Sequence, residues 1–172
     1  AQAIADGKIV GWFRGRSESG NRALMQRSIL ADPRRKDIKD VINKTIKMRE
    51  DFRPFAPVVM EDHYEEYFDT IGGPSPYMSR IVKVNEDKKS IVPGITHIDG
   101  TARIQTIHTA GAGLRDTYEL INQFYQITGV PMLLNTSFNC QEPIVETPQH
   151  ALRTFKKTAL DMLIINDWII RK

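Results

Sequence analysis

The chain has a single cysteine, Cys140, among 172 residues. That excludes an internal disulfide and any multi-cysteine zinc site, and it agrees with a reducing compartment. Apolar runs are only a few residues long, and no charged-then-apolar leader opens the chain, so neither a membrane span nor a secretory signal is written in it. The expected location is the cytoplasm, with no membrane partner. The HExxH, GxxxxGK[ST] and GxGxxG patterns are all missing. His63, His97, His108 and His150 show no ligand spacing with the cysteine, so no zinc centre is expected. Charge of one sign is also scarce: the net is +3, which accommodates nucleotides, phosphorylated metabolites or RNA without demanding a nucleic acid.

What remains is an ordinary globular composition, 41% hydrophobic and 26% charged, enough for one domain with a sizeable core. The first residue is Ala1 and the opening AQAIADG reads as a helical tail, so the chain is expected to be a piece cut from a longer protein at a domain boundary.

Taken in order, Ala1 to Asp6 close a helix at Gly7, and Lys8 to Phe13 read as a short buried strand. Gly15 and Gly20 bracket a polar loop. Ala23, Leu24, Arg27 and Ser28 then fall at helical spacing, which predicts a helix carrying Arg22 at an anion-binding N-terminus. Lys36 to Met48 form a basic amphipathic helix with Ile38, Val41, Ile42, Thr45 and Ile46 inward. The stretch KMREDFRPFAPVV, Lys47 to Val59, is a cationic connection into a strand that Pro54 and Pro57 hold extended. Glu61 to Phe68 is a short helix, Gly72 to Pro76 a loop, Tyr77 to Val84 a strand, and Ile91-Val92 a short extended piece. After the Asp99-Gly100 turn, Arg103 and Gln105 share one face of a strand ending at Ile107. Leu114 to Thr128 is the longest helix, stopped by Gly129. Pro131 to Leu134 is a core strand ending in Asn135 to Asn139, at the kind of strand edge where open α/β sheets bind ligands. Thr147 caps a helix begun by Pro148 and running to about Thr158, and the last twelve residues form a hairpin around Asn166-Asp167.

The residues suited to chemistry are cations and small polar groups on separate loops: Arg22, Lys47, Arg49, Arg103, Ser137 and Asn139. Arginine forks bind phosphate oxygens, lysine neutralises an oxyanion, and Ser and Asn donate without bulk, so the set suits a triphosphate. Each alone also reads as a surface ion pair or turn residue. Cys140 beside Asn139 is a nucleophile candidate, with no base supplied in sequence.

Four ordered stretches carry a resemblance: GWFRGRSESGNRALMQRSILADPR, KMREDFRPFAPVV, THIDGTARIQTI and LLNTSFNCQEPIVETPQHALRTF. Together they resemble the C-terminal domain of O-carbamoyltransferases of the nodulation-protein and antibiotic-tailoring type. The resemblance implies a YrdC-like α/β (α+β) fold, a twisted open mixed sheet flanked by helices, in one domain over residues 1–172 that lacks its N-terminal actin/Hsp70-like domain. It implies formation of carbamoyl-adenylate from carbamoyl phosphate and ATP, with Mg2+ accompanying the ATP. The N-terminal domain of the same protein then carbamoylates a hydroxyl acceptor.

By that resemblance the Lys-x-Arg and Ser-x-Asn signature falls on Lys47 with Arg49 and Ser137 with Asn139, the expected catalytic set. Arg22, Arg103, Thr136, Asn135 and His97 are the expected substrate or ATP contacts, and Asp99 is the one metal candidate. The chain departs from the family pattern at Ser19, Asn21 and Met25, which stand where Phe, Pro and Gly are usual, leaving the Arg22 loop less constrained and bulkier. A threonylcarbamoyl-adenylate synthase shares the short signature but not the longer motifs. An RNA-binding module is the remaining alternative, and the thin charge excess argues against it.

Overall fold

β-branched and aliphatic runs build an eight-stranded mixed sheet in this computed structural model, which describes residues 1–69, 71–108 and 114–172. After helix α1 (Gln2–Ala5) the chain lays down β1 (Val10–Phe13) and β2 (Arg27–Ala31), then α2 (Ile38–Ile42), β3 (Ala56–Met60) and α3 (Tyr64–Tyr67). The remainder is β4 (Arg80–Lys83), β5 (Thr101–Ile107), α4 (Arg115–Thr128), β6 (Met132–Ser137), α5 (Pro148–Lys157) and the β7 (Met162–Ile165) to β8 (Trp168–Arg171) hairpin. The spatial order is β4-β5-β3-β6-β2-β1-β7-β8, with β3 parallel to β5 and β1 parallel to β7. All five residues of both β2 and β3 are buried, so the centre of the sheet is covered on both faces. Ile121 and Phe124 of α4 and Ala151 and Phe155 of α5 supply part of that cover. Among the described residues no helix is long and apolar enough to cross a membrane.

Local chemistry sets several ends as the sequence implies. Thr147 accepts a hydrogen bond from the His150 amide ahead of Pro148, Gly129 adopts φ +72° after α4, and Asn166 adopts φ +48° in the hairpin turn.

Three expectations fail. No helix starts at Asn21: Glu18 Oε1 accepts the amides of Leu24 and Gln26, both at 2.6 Å, and of Arg27 at 3.2 Å. With those amides fixed, Arg27 to Ala31 pairs with β1 and β6 instead, and the expected helix N-terminus for an anion is gone. Ile91-Val92 is not extended, since both amides turn back to the Lys88 carbonyl. The third concerns α2, which continues as a π-turn over Asn43–Lys47; the wider turn brings Asn43 and Lys47 inward and leaves Thr45 exposed.

The sheet also opens where the site lies. Pairing of β3 with β5 begins only at Val58 opposite Gln105, because Pro57 has no N–H to extend the ladder. Arg103 therefore pairs with Ile81 of β4 on one side and has no paired β3 residue on the other.

Candidate active site

The π-turn carries Lys47 to the end of β6, where its ammonium is clasped. Lys47 Nζ donates to the Ser137 carbonyl at 2.5 Å and hydroxyl at 3.1 Å, and to the Asn139 side-chain oxygen at 2.7 Å and carbonyl at 3.2 Å. Three N–H groups thus meet four neutral acceptors. The Ser137 hydroxyl donates to Asn139 Oδ1 at 2.9 Å, and Asn139 Nδ2 to the Glu142 carbonyl at 2.8 Å. Lys47 is 2% exposed, and among the described residues no carboxylate bonds to it. Burial, and then the charge of Arg49, lower its pKa to about 7.

Arg49 follows Met48, whose φ of +48° turns the chain back. Its Nε donates to Asn43 Oδ1 at 2.7 Å, and its guanidinium lies 5.0 Å from the Phe55 ring centre. Asn43 is fully buried and spends its amide on the carbonyls of Asp51, at 3.1 Å, and Arg53, at 3.0 Å. One side chain therefore shapes the whole cationic connection.

Arg49, Arg22 and Arg103 line one hollow of about 100 Å³ with Asn135, Thr136 and Ser137, against an apolar wall that includes Phe55, Ala56 and Met78. That is room for about three water molecules, or one small anionic group, rather than a nucleotide. Burial, and then the facing charge of Arg22, lower the Arg103 pKa. Two like charges held together in this way favour an anion between them. Arg103 Nε and Asn135 Oδ1 of this lining, and Nε2 of Gln105, which is bonded to Asn135, are buried without a hydrogen-bond partner. Unpaired buried polar atoms are costly, so the hollow fits a polar, anionic ligand such as a phosphorylated substrate.

Of the sequence candidates, the structure brings together Lys47, Ser137 and Asn139 in one cluster and Arg22, Arg49, Arg103, Asn135 and Thr136 around the hollow, with Ser137 common to both. Lys47 itself does not line the hollow; it sits behind Ser137. His97 stands outside as well, its Nε2 3.3 Å from the Phe55 carbonyl and its Nδ1 3.4 Å from Thr101 Oγ1, so it braces the wall. Asp99 is exposed and its carboxylate accepts from the Thr101 amide and hydroxyl. Among the described residues no group of three His, Cys, Asp or Glu side chains could hold a metal ion.

Sequence reading missed Asn43 and Glu18 as positioning groups. A buried Asn six residues before an arginine and a lone Glu in a glycine loop were the available signals. Met25, where the family pattern has Gly, holds φ +83° with its side chain fully buried; in that conformation a non-glycine residue costs about 1–3 kcal/mol.

Comparison with known proteins adds to this geometry. The family model described as "Carbamoyltransferase C-terminus" matches residues 1–172. The chain is 47% identical to nodulation protein NolNO of Sinorhizobium fredii, over 100% of this chain and 25% of that protein. It is 45% identical to nodulation protein NolO of Bradyrhizobium diazoefficiens, over 100% of this chain and 32% of that one. The chain thus spans about a quarter to a third of these relatives' length. Among solved structures, full-length HypF in its phosphate- and nucleotide-bound form superposes with TM-score 0.59 at 18% identity, over 99% of this chain and 21% of HypF. E. coli YciO superposes with TM-score 0.53 at 14% identity, over 99% and 84% of the two chains. At these identities the likeness shows the fold, which is YrdC-like.

Proposed function

The chain belongs to the carbamoyltransferase C-terminus family, and from that premise we propose that it makes carbamoyl-adenylate from carbamoyl phosphate and ATP, as one half of an O-carbamoyltransferase. In this reading carbamoyl phosphate is hydrolysed to carbamate and inorganic phosphate. A carbamate oxygen then attacks the α-phosphorus of ATP, the bond to the bridging oxygen breaks, and pyrophosphate leaves. The part of the protein outside this chain, by analogy with the longer relatives, passes the carbamoyl group to a hydroxyl acceptor. Mg2+ arrives with ATP as its counter-ion, and no step is assigned to it through this chain's residues.

The observation that carries the reading is the pairing of a buried ammonium, Lys47 held by Ser137 and Asn139, with three arginines around an adjoining hollow. Arg22, Arg49 and Arg103 offset the negative charge that gathers as the α-phosphorus is attacked. Lys47 contributes its charge from behind Ser137 and, with Asn139, fixes the Ser137 hydroxyl at the edge of the hollow. The nucleotide base and ribose extend outside the hollow. In the full chain, Lys47→Ala and Ser137→Ala are each expected to abolish carbamoyl-phosphate-dependent pyrophosphate release from ATP while circular dichroism stays native. Full release by both variants sinks the proposal.

A further inference from the structure

Three unpartnered polar atoms lie on β5 and β6, two of them on Arg103 and Asn135 of the hollow's lining and the third on Gln105, which is bonded to Asn135, and their types differ from what a phosphate alone would need. The orientation of the two amides is fixed from the backbone. Asn135 Nδ2 donates to the Ala23 carbonyl at 3.1 Å, which must accept, and then to Gln105 Oε1 at 3.3 Å. That leaves Asn135 Oδ1 as an acceptor and Gln105 Nε2 as a donor, each without a partner, beside the equally unpartnered donor Arg103 Nε. Gln105 is fully buried and Asn135 is 1% exposed. Arg103 and Gln105 are two residues apart on one face of β5, and Asn135 bonds to the second of them.

A phosphate would satisfy the two donors and be repelled by the Asn135 oxygen, because it brings only acceptors. A carbamoyl group, an amino group and two oxygens on one carbon, brings one donor end and two acceptor oxygens, the complement of one acceptor and two donors. Building on the carbamoyl-adenylate reading, we infer that Asn135 and Gln105 are the residues that select the carbamoyl group. Its amino group donates to Asn135 Oδ1, and the oxygens accept from Gln105 Nε2 and Arg103 Nε. Neither amide atom meets solvent, so the group reaches them only as the buried wall beside the hollow gives way. Selection of this kind rests on leaving buried polar atoms unpaired when the wrong ligand binds.

The test is equilibrium binding of carbamoyl phosphate and of acetyl phosphate, which carries a methyl in place of the amino group, to the full chain and to its Gln105→Met and Asn135→Leu variants. Native protein is expected to bind carbamoyl phosphate tighter by about tenfold or more, the loss expected from one unpaired buried acceptor. Asn135→Leu is expected to bring the ratio near one, whereas Gln105→Met, which loses a donor to an oxygen that both ligands carry, is expected to weaken both about tenfold and leave the ratio as it is. Gln105→Met keeps the volume and leaves Asn135 bonded to Ala23, so it stands as the test if Asn135→Leu does not fold. Unchanged affinity for both ligands in Gln105→Met, or native protein that binds both ligands equally, overturns the assignment and leaves the carbamoyl-adenylate reading intact. Native protein that binds neither ligand overturns both.

Discussion

The Lys47 cluster and the arginine hollow share Ser137 and hold positive charge in opposite ways. The lysine is buried, and each of its N–H groups already meets a protein acceptor. Arg22 and Arg103 face each other as like charges, and three polar atoms around Arg103 lack partners. The first region is complete without a ligand; the second is complete only with one. A site divided in this way has its reaction geometry set before substrate arrives, and it takes its binding energy from groups that gain partners only on binding.

If that division holds, disturbing the finished half should damage turnover most. Lys47→Arg keeps the charge but replaces a compact ammonium by a planar fork that cannot meet the acceptors of Ser137 and Asn139 together. We expect pyrophosphate formation to fall about 100- to 1,000-fold, the loss typical of removing one preorganised donor group. ATP affinity should change far less, and separate determination of kcat and KM checks this. Activity near native in Lys47→Arg would mean that charge alone matters and that the clasp is incidental.

Disturbing the unfinished half should instead damage binding. Arg103→Ala removes one of the facing guanidiniums, and sulfate or carbamoyl phosphate is expected to bind about 10- to 100-fold more weakly, the worth of a charge-assisted hydrogen bond. The folded state should not suffer, because the substitution also relieves repulsion from Arg22. Calorimetric titration together with a denaturant midpoint tests both statements. A lowered midpoint with unchanged affinity would make Arg103 a structural residue and dissolve the contrast.

The finished half was also the more legible one in sequence. Lys47 with Arg49 and Ser137 with Asn139 lie in short motifs, and β6, which presents Ser137, follows from the apolar run after the Gly129 stop. The unfinished half depends on contacts that spacing does not encode. Ala23, Leu24, Arg27 and Ser28 fit a helix until Glu18 takes the amides of Leu24, Gln26 and Arg27 and strand pairing wins. Asn43 passed unnoticed because a regular helix would put Thr45 on the inner face; the π-turn changes the phase. Gln105 was readable as a neighbour of Arg103 on one strand face, but its lack of a partner emerges only when β5 and β6 are brought together.

The two halves are also coupled, and pH reveals it. Burial lowers the Lys47 pKa to about 7, so the amine is charged below that value and neutral above it. An anion placed in the adjoining hollow favours the charged form and raises the pKa in the complex. Binding therefore takes up a proton: affinity is greatest below about 7 and declines as pH rises through the window between the free and bound pKa values, by at most about tenfold per pH unit. Sulfate is the suitable probe, since it does not titrate there. His97, lowered by its own burial, remains neutral over the upper part of the window. Calorimetry in buffers of different ionisation enthalpy should register the proton uptake for native protein and lose it in Lys47→Met. If native protein binds sulfate with no pH slope between about 7 and 9, the ammonium does not sense the hollow, and the clasped lysine and the arginine hollow are neighbours without being one site.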